Sequence, residues 1–123
     1  MDTDTQEIYL TAPTKVAESY VEAIRAKDPG KAMFAPDVSL QFPLSPRKIE
    51  GRENVIEYLL SIMPGIDDVR IERHMSSGEY VATLWEAQTP RGSLPICSVF
   101  RITDGLIREV RSFWDPRPLF AQV

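Results

Sequence analysis

Between Asp67 and Trp114 four segments follow one another in which apolar and polar residues alternate: DDVRIERHM, EYVATLWEAQ, LPICSVFRI and LIREVRSFW. The turn sequences SSG, TPRG and TDG separate them. A period of two, punctuated in this way, is what successive antiparallel strands require, because neighbouring side chains of a strand point to opposite faces. The second half of the chain is therefore a sheet, and the first half must supply what covers it.

Upstream the period is helical. In PTKVAESYVEAIRAKDPG the residues Val16, Ala17, Tyr20, Val21 and Ile24 form one apolar stripe, and Asp28, Pro29 and Gly30 stop it. KAMFAPDVSLQF reads as a short helical turn and then a strand over roughly Val38 to Phe42, and PLSPRKIEG, with two prolines and a glycine, as a loop. A second helix starts near Arg52 and places Val55, Ile56, Leu59, Leu60 and Met63 on one face, ending at Pro64 and Gly65. Helices followed by a run of antiparallel strands predict an α+β domain with the helices on one face of the sheet.

Charge and length narrow the partners. The 123 residues suffice for one domain, taken as 1–123. A net charge of −4, with basic residues scattered among acids, argues against nucleic acid. No apolar run approaches the roughly 20 residues of a membrane helix, and the start MDTDTQEIYL is too acidic for a signal peptide. No membrane partner and a cytoplasmic location are expected. Cys97 and His74 are each the sole residue of their type, so no metal site of Cys and His is expected, and no cofactor.

The last turn sets which residues share a face. A two-residue Asp104-Gly105 loop opposes Arg101 to Arg108, a like-charge pair. A three-residue Thr103-Asp104-Gly105 loop avoids this and pairs Phe100 with Arg108, Ser98 with Val110 and Ile96 with Ser112. On that register Ile96, Ser98, Phe100, Val110, Ser112 and Trp114 line one face, and Cys97, Val99, Ile107, Glu109, Arg111 and Phe113 the other. Both faces carry apolar residues, and helices cover only one. The second, with Phe113 and Val99, is expected to be a homodimer surface. A curved sheet closed by helices leaves a cone suited to a small molecule.

The order of elements, with the stretches YVEAI, FAPDVSLQFPLSP, IEGRENVIEYL and VFRITDGLIREVRSFWDP, resembles the nuclear-transport-factor-2-like superfamily, and within it the SnoaL-like polyketide cyclases and ketosteroid-isomerase-like proteins. The resemblance spans about Ala12 to Pro118. It implies a cone-shaped curved antiparallel sheet packed on N-terminal helices, the cystatin-like arrangement. It also implies site positions. Tyr20 matches the oxyanion-donor tyrosine of ketosteroid isomerases and Trp114 the aromatic lining their cavity. Phe42 stands where they keep an aspartate base, and Ser98 where they keep a protonated aspartate. Ser112 stands where limonene-epoxide hydrolases carry an aspartate.

The resemblance thus implies a small-molecule protein with an apolar pocket, either an isomerase or cyclase of ketone- or enolate-type substrates without the usual aspartates, or a non-catalytic binder. Tyr20 is read as pocket donor or as core residue, and Asp115 as acid or as strand end. Phe42, Ile96, Ser98, Phe100, Val110, Ser112 and Trp114 are expected to contact an apolar or carbonyl-bearing ligand, with Trp85, whose phase groups it with Val81, Thr83 and Ala87. Phase places Glu86 and His74 on the other side of the sheet. Cys97 reads as a small buried hydrophobe. Arg108, opposite Phe100, either stacks on that ring or reaches the pocket mouth.

Overall fold

A computed structural model describes residues 12–42, 45–115 and 117. Helix α1, Pro13–Ala26, begins with proline in its first turn and ends where Lys27 adopts a left-handed conformation, φ 56°. The Lys27 backbone N–H returns to the carbonyls of Ala23 and Ile24. Val16, Ala17, Tyr20, Val21 and Ile24 are all buried, so the stripe read from spacing is the packed face. A 3-10 turn at Pro29–Lys31 leads into strand β1, Phe34–Gln41. Helix α2, Arg52–Ile62, follows Gly51, whose φ of 93° reverses the chain. Val55, Leu59 and the following Met63 are buried, whereas Leu60 is exposed.

The long strands are β3, Asp68–Ser77, β4, Tyr80–Thr89, β5, Gly92–Thr103, and β6, Leu106–Phe113. Within PLSPRKIEG, read as a loop, Lys48–Glu50 forms the short strand β2. The spatial order is β2-β1-β6-β5-β4-β3. The sheet is mixed, not wholly antiparallel, because β1 runs parallel to β6. β1 starts at Phe34, earlier than expected, and Phe42 lies just past its end. Helices and 3-10 turns pack on one face, where Val81, Trp85, Phe100 and Val110 join the α1 stripe in a single core.

Two one-residue irregularities change the faces. At the last hairpin the turn is the two-residue Asp104-Gly105, both at positive φ, with Thr103 opposite Leu106. The predicted clash of Arg101 with Arg108 does not arise, because the register shifts between Arg101 and Ile102 and places Arg101 opposite Glu109, 2.5 Å away. Arg108 is the extra residue of this bulge. Phe100 therefore pairs with Val110 and Ser98 with Ser112, a shift of two from the expected register that leaves the predicted inner face intact. Ile107 is the exception. It lies before the bulge and is fully buried on the inner side. Arg108 neither stacks on Phe100 nor reaches the mouth, but bonds Thr103, Asp37 and Asp104.

The second irregularity lies between Ile71 and Arg73 in β3. Beyond it the parity of β3 inverts, and His74, expected on the outer face, lies across from buried Thr83 with its Nδ1 2.8 Å from the hydroxyl. Burial lowers the His74 pKa; Glu18 on α1 opposes the shift and Lys15 adds to it. A histidine whose folded pKa lies below its unfolded value of about 6.5 opposes folding as it charges, so stability is full above that value and falls on acidification. Urea denaturation of wild type and His74→Gln between pH 7.5 and pH 5 should show wild type losing more stability than the variant. Parallel curves would contradict this.

Candidate functional site

Between the helices and the inner face of the sheet lies a cavity of about 530 Å³. Its lining comes from five parts of the fold: α1 (Tyr20, Ile24), the residue after β1 (Phe42), α2 and its 3-10 extension (Tyr58, Ile62, Ile66), β4 with the turn to β5 (Trp85, Thr89, Pro90, Arg91), and β5, β6 and their continuation (Leu94, Ile96, Ser112, Trp114).

Tyr20 forms the floor. It occupies the middle of the α1 stripe, is 2% exposed, and is held edge-on by Phe100 and Phe34, with ring centroids 5.3 and 6.1 Å away. Such contacts fix the ring plane and hence the direction of the hydroxyl. That hydroxyl bonds to Ser112. Ser112 Oγ lies 2.8 Å from Ser98 Oγ, and Ser98 Oγ accepts from Trp85 Nε1–H at 3.0 Å. Four residues from α1, β6, β5 and β4 thus form one buried chain of hydrogen bonds.

An indole N–H only donates, so Ser98 is an acceptor at that end. Either serine can donate in the Ser98–Ser112 bond; in the arrangement where Ser98 donates to Ser112 and Ser112 to the Tyr20 oxygen, the Tyr20 proton is left for an acceptor in the cavity. A relay of this kind polarises its last member. Burial pushes the Tyr20 pKa far above its ordinary value; the Ser112 bond opposes the shift and the nearby Tyr58 adds to it. Tyr20 is therefore protonated at neutral pH and able to donate.

The walls are aromatic and aliphatic. Phe42 tilts against Tyr58 at 4.8 Å between ring centroids and meets Trp114 edge-on at 5.3 Å. Burial also raises the Tyr58 pKa. Of the expected ligand-contacting residues, Phe42, Trp85, Ile96, Ser112 and Trp114 line the cavity. Phe100 and Val110 do not; they are fully packed beneath Tyr20 and within the core. Ser98 stands behind the wall, in the relay.

Asp115 is not brought to Tyr20. It is exposed and outside the lining, with its carboxylate bonded to Arg117 at 2.6 Å, a contact that holds its pKa below the ordinary value. Glu86 sits on the outer face, 3.0 Å from Arg70. Cys97 is half-buried on that face, opposite Phe113. Among the described residues the lining holds no carboxylate and no imidazole, and Arg91 is its one charged side chain. Among the described residues, no three of His, Cys, Asp and Glu converge to hold a metal, and no helix is long and apolar enough to cross a membrane.

Tyr58, Ile62, Ile66 and Arg91 escaped the sequence reading. Tyr58 and Ile62 are four apart and flank the Val55-Leu59 stripe of α2, a spacing that marks a second apolar face on the same helix. Nothing in the sequence near Arg91 points to a cavity.

Comparison with known proteins gives the family. The model of the SnoaL-like domain matches residues 17–110, and with them most of α1, all of α2, Tyr20, Trp85 and Ser98 of the relay, and most of the sheet. The chain belongs to the SnoaL-like domain family. Solved structures agree in fold. A provisionally assigned SnoaL-like polyketide cyclase from Jannaschia sp. CCS1 superposes with a TM-score of 0.76 at 16% identity, over 89% of each chain. A provisionally assigned ketosteroid isomerase from Kribbella flavida DSM 17836 gives 0.75 at 20% identity, over 84% of this chain and 77% of that one. An NTF2-like protein of unknown function from Cytophaga hutchinsonii ATCC 33406 gives 0.74 at 14% identity, over 89% and 95%. None of the curated proteins compared matches the chain. At these identities the likeness of this SnoaL-like domain to the solved structures is one of fold, and its chemistry has to be argued from its own cavity.

Proposed function

We propose that this SnoaL-like domain binds a small, largely apolar molecule bearing a carbonyl or other oxygen acceptor, with the acceptor bonded to Tyr20 and the apolar body among Phe42, Tyr58, Ile96 and Trp114. The observation that supports this most is the lining itself. It is aromatic and aliphatic apart from a few hydroxyls and Arg91, and its two deeply buried hydroxyls, those of Tyr20 and Ser112, belong to the relay. Proton abstraction beside a carbonyl needs a base within hydrogen-bond reach, and the described lining offers none, so binding without conversion is the leading reading. The buried Tyr20 hydroxyl beside Ser112 favours one further reading, an isomerase or cyclase in which Tyr20 stabilises an enolate formed by a base carried on the substrate itself.

Trp114→Ala tests the pocket. Deleting the indole removes apolar contact worth about 1.5–3 kcal/mol if fully used, so affinity for an aryl ketone such as acetophenone should fall roughly tenfold or more by calorimetry. Unchanged affinity would move the ligand elsewhere. A cytoplasmic homodimer completes the proposal. It is supported by Phe113 and Met75, exposed at 42% and 49% on the outer face near Val99, and a monomeric mass at micromolar concentration would refute the dimer.

A further inference from the structure

We propose that Lys27 is a specificity-determining residue of this cavity: its ammonium ties the end of α2 to α1 and so sets the width of the opening through which a ligand enters. The proposal rests on the ligand-binding reading above and adds what limits the size of the ligand.

Among the described lining residues Ser61, Gly65, Pro90 and Arg91 are exposed, so the cavity opens between the end of α2 and the turn from β4 to β5. One rim is the segment that leaves α2, a 3-10 turn over Met63–Gly65 and then Ile66 in extended conformation. Gly65 and Ile66 line the cavity, as does Ile62 before them. Little packing fixes this rim. Met63 is buried, but Pro64 and Gly65 are exposed and Ile66 is only half-buried, so the place of the rim depends on polar contacts.

Lys27 supplies them. Its ammonium donates to the carbonyl of Met63 at 3.0 Å and also to that of Ile66. These two carbonyls bracket Pro64 and Gly65, and holding both on one nitrogen fixes the span of the rim between them. A cation at the carbonyl end of a helical segment is also favoured by the backbone dipoles. Two further contacts continue along the rim. Arg25 of α1 lies 3.3 Å from the Asp68 carboxylate, and the Asp67 N–H donates to the Gln88 carbonyl of β4 at 2.7 Å. Lys27 itself holds a left-handed backbone, φ 56°, where glycine is the usual occupant and carries no steric cost. The side chain, not the backbone, therefore gives lysine its advantage at this position. Lys27 lies outside the lining, so it acts on a ligand through Gly65 and Ile66.

The test uses acetophenone and 4-tert-butylacetophenone, which carry the same ketone and differ in bulk. Both are titrated by calorimetry into the full chain and into Lys27→Gly, Lys27→Met and Lys27→Arg, and amide hydrogen exchange is followed in the same four proteins. Lys27→Gly suits the left-handed backbone and Lys27→Met keeps the apolar stem, so together they separate the lost ammonium from a change of backbone or packing. In both, the Ile66 and Asp67 amides should exchange roughly tenfold faster while those in the middle of α2 do not change. The ratio of the two affinities should shift about fivefold toward the bulkier ketone. Lys27→Arg, which keeps N–H donors at similar reach, should restore part of both effects. Unaltered exchange, or an unaltered ratio, in the glycine and methionine variants would overturn the role of Lys27 and leave the pocket reading intact. Binding of neither ketone to wild type would overturn both.

Discussion

Replacing Phe100 with alanine is expected to remove about 3–5 kcal/mol of folding stability, the range for deleting a buried aromatic ring. Phe100 is fully buried, is flanked across the sheet by Val81 and Val110, and meets the Tyr20 ring edge-on. No mobile neighbour is placed to fill the space: these strands are paired on both sides and α1 lies above. Domains are stable by only about 5–15 kcal/mol, so the variant should unfold at a much lower urea concentration. Phe100→Leu, which keeps most of the volume, should lose far less. Because Phe100 orients Tyr20, ketone affinity of the folded variant should fall too, although Phe100 does not line the cavity. A loss below about 1 kcal/mol would mean that α1 closes over the gap.

Ser98→Val tests the relay. Valine has the shape of threonine, so Ser98→Val and Ser98→Thr add the same methyl to this packed site and differ only in the hydroxyl; both residues suit a strand. At a buried site with no hydrogen-bonding duty the valine variant would be at least as stable as the threonine variant. Ser98 is fully buried and takes the Trp85 N–H, while bonding Ser112 on its other side. The substitution strands the indole donor in apolar surroundings, at about 1–3 kcal/mol, and removes a partner of Ser112, so about 2–4 kcal/mol in all is expected. Ser98→Thr keeps the hydroxyl and should cost less. Urea denaturation of the three proteins decides the matter. A valine variant as stable as wild type would show that the Trp85 N–H does not depend on Ser98.

The inner face was readable because alternation is a strong signal wherever one side of a strand is dry. Val81, Thr83, Trp85 and Ala87 were grouped from phase alone, and all four are buried. What phase cannot carry is a bulge. One extra residue inverts the parity of everything beyond it, and no composition marks its place. His74 and Ile107 were both put on the wrong face for this reason. At Arg108 the sequence did reveal the conflict, two arginines opposed, but the chain resolved it by bulging β6 and kept the two-residue turn. Strand β2 was hidden for a different reason: Lys48–Glu50 is short and largely exposed, with no dry side to impose a pattern.

The site was legible to the extent that it is made of sheet. Trp85, Ile96, Ser112 and Trp114 follow from the register, and Tyr20 from the α1 stripe. The cavity walls on the α2 side depend on how the helix is rotated over the sheet, which turns on loops and on the left-handed residue Lys27 rather than on periodicity. Likewise, Ser98 and Ser112 were identified by position, but their union with Trp85 and Tyr20 needs four elements in contact, which is a property of packing. Asp115 looked chemical beside a cavity tryptophan. Its carboxylate instead closes a local contact with Arg117.

The most direct measurement is the carbonyl resonance of acetophenone labelled with carbon-13 at the ketone carbon, titrated into wild type and Tyr20→Phe. A hydrogen bond from a polarised phenol withdraws electrons from the carbonyl, so the resonance should move downfield on saturable binding to wild type. In Tyr20→Phe it should stay near its position in an apolar solvent, with weaker binding. The same downfield shift in both proteins, or no saturable binding to wild type, would contradict a cavity organised around the Tyr20 hydroxyl.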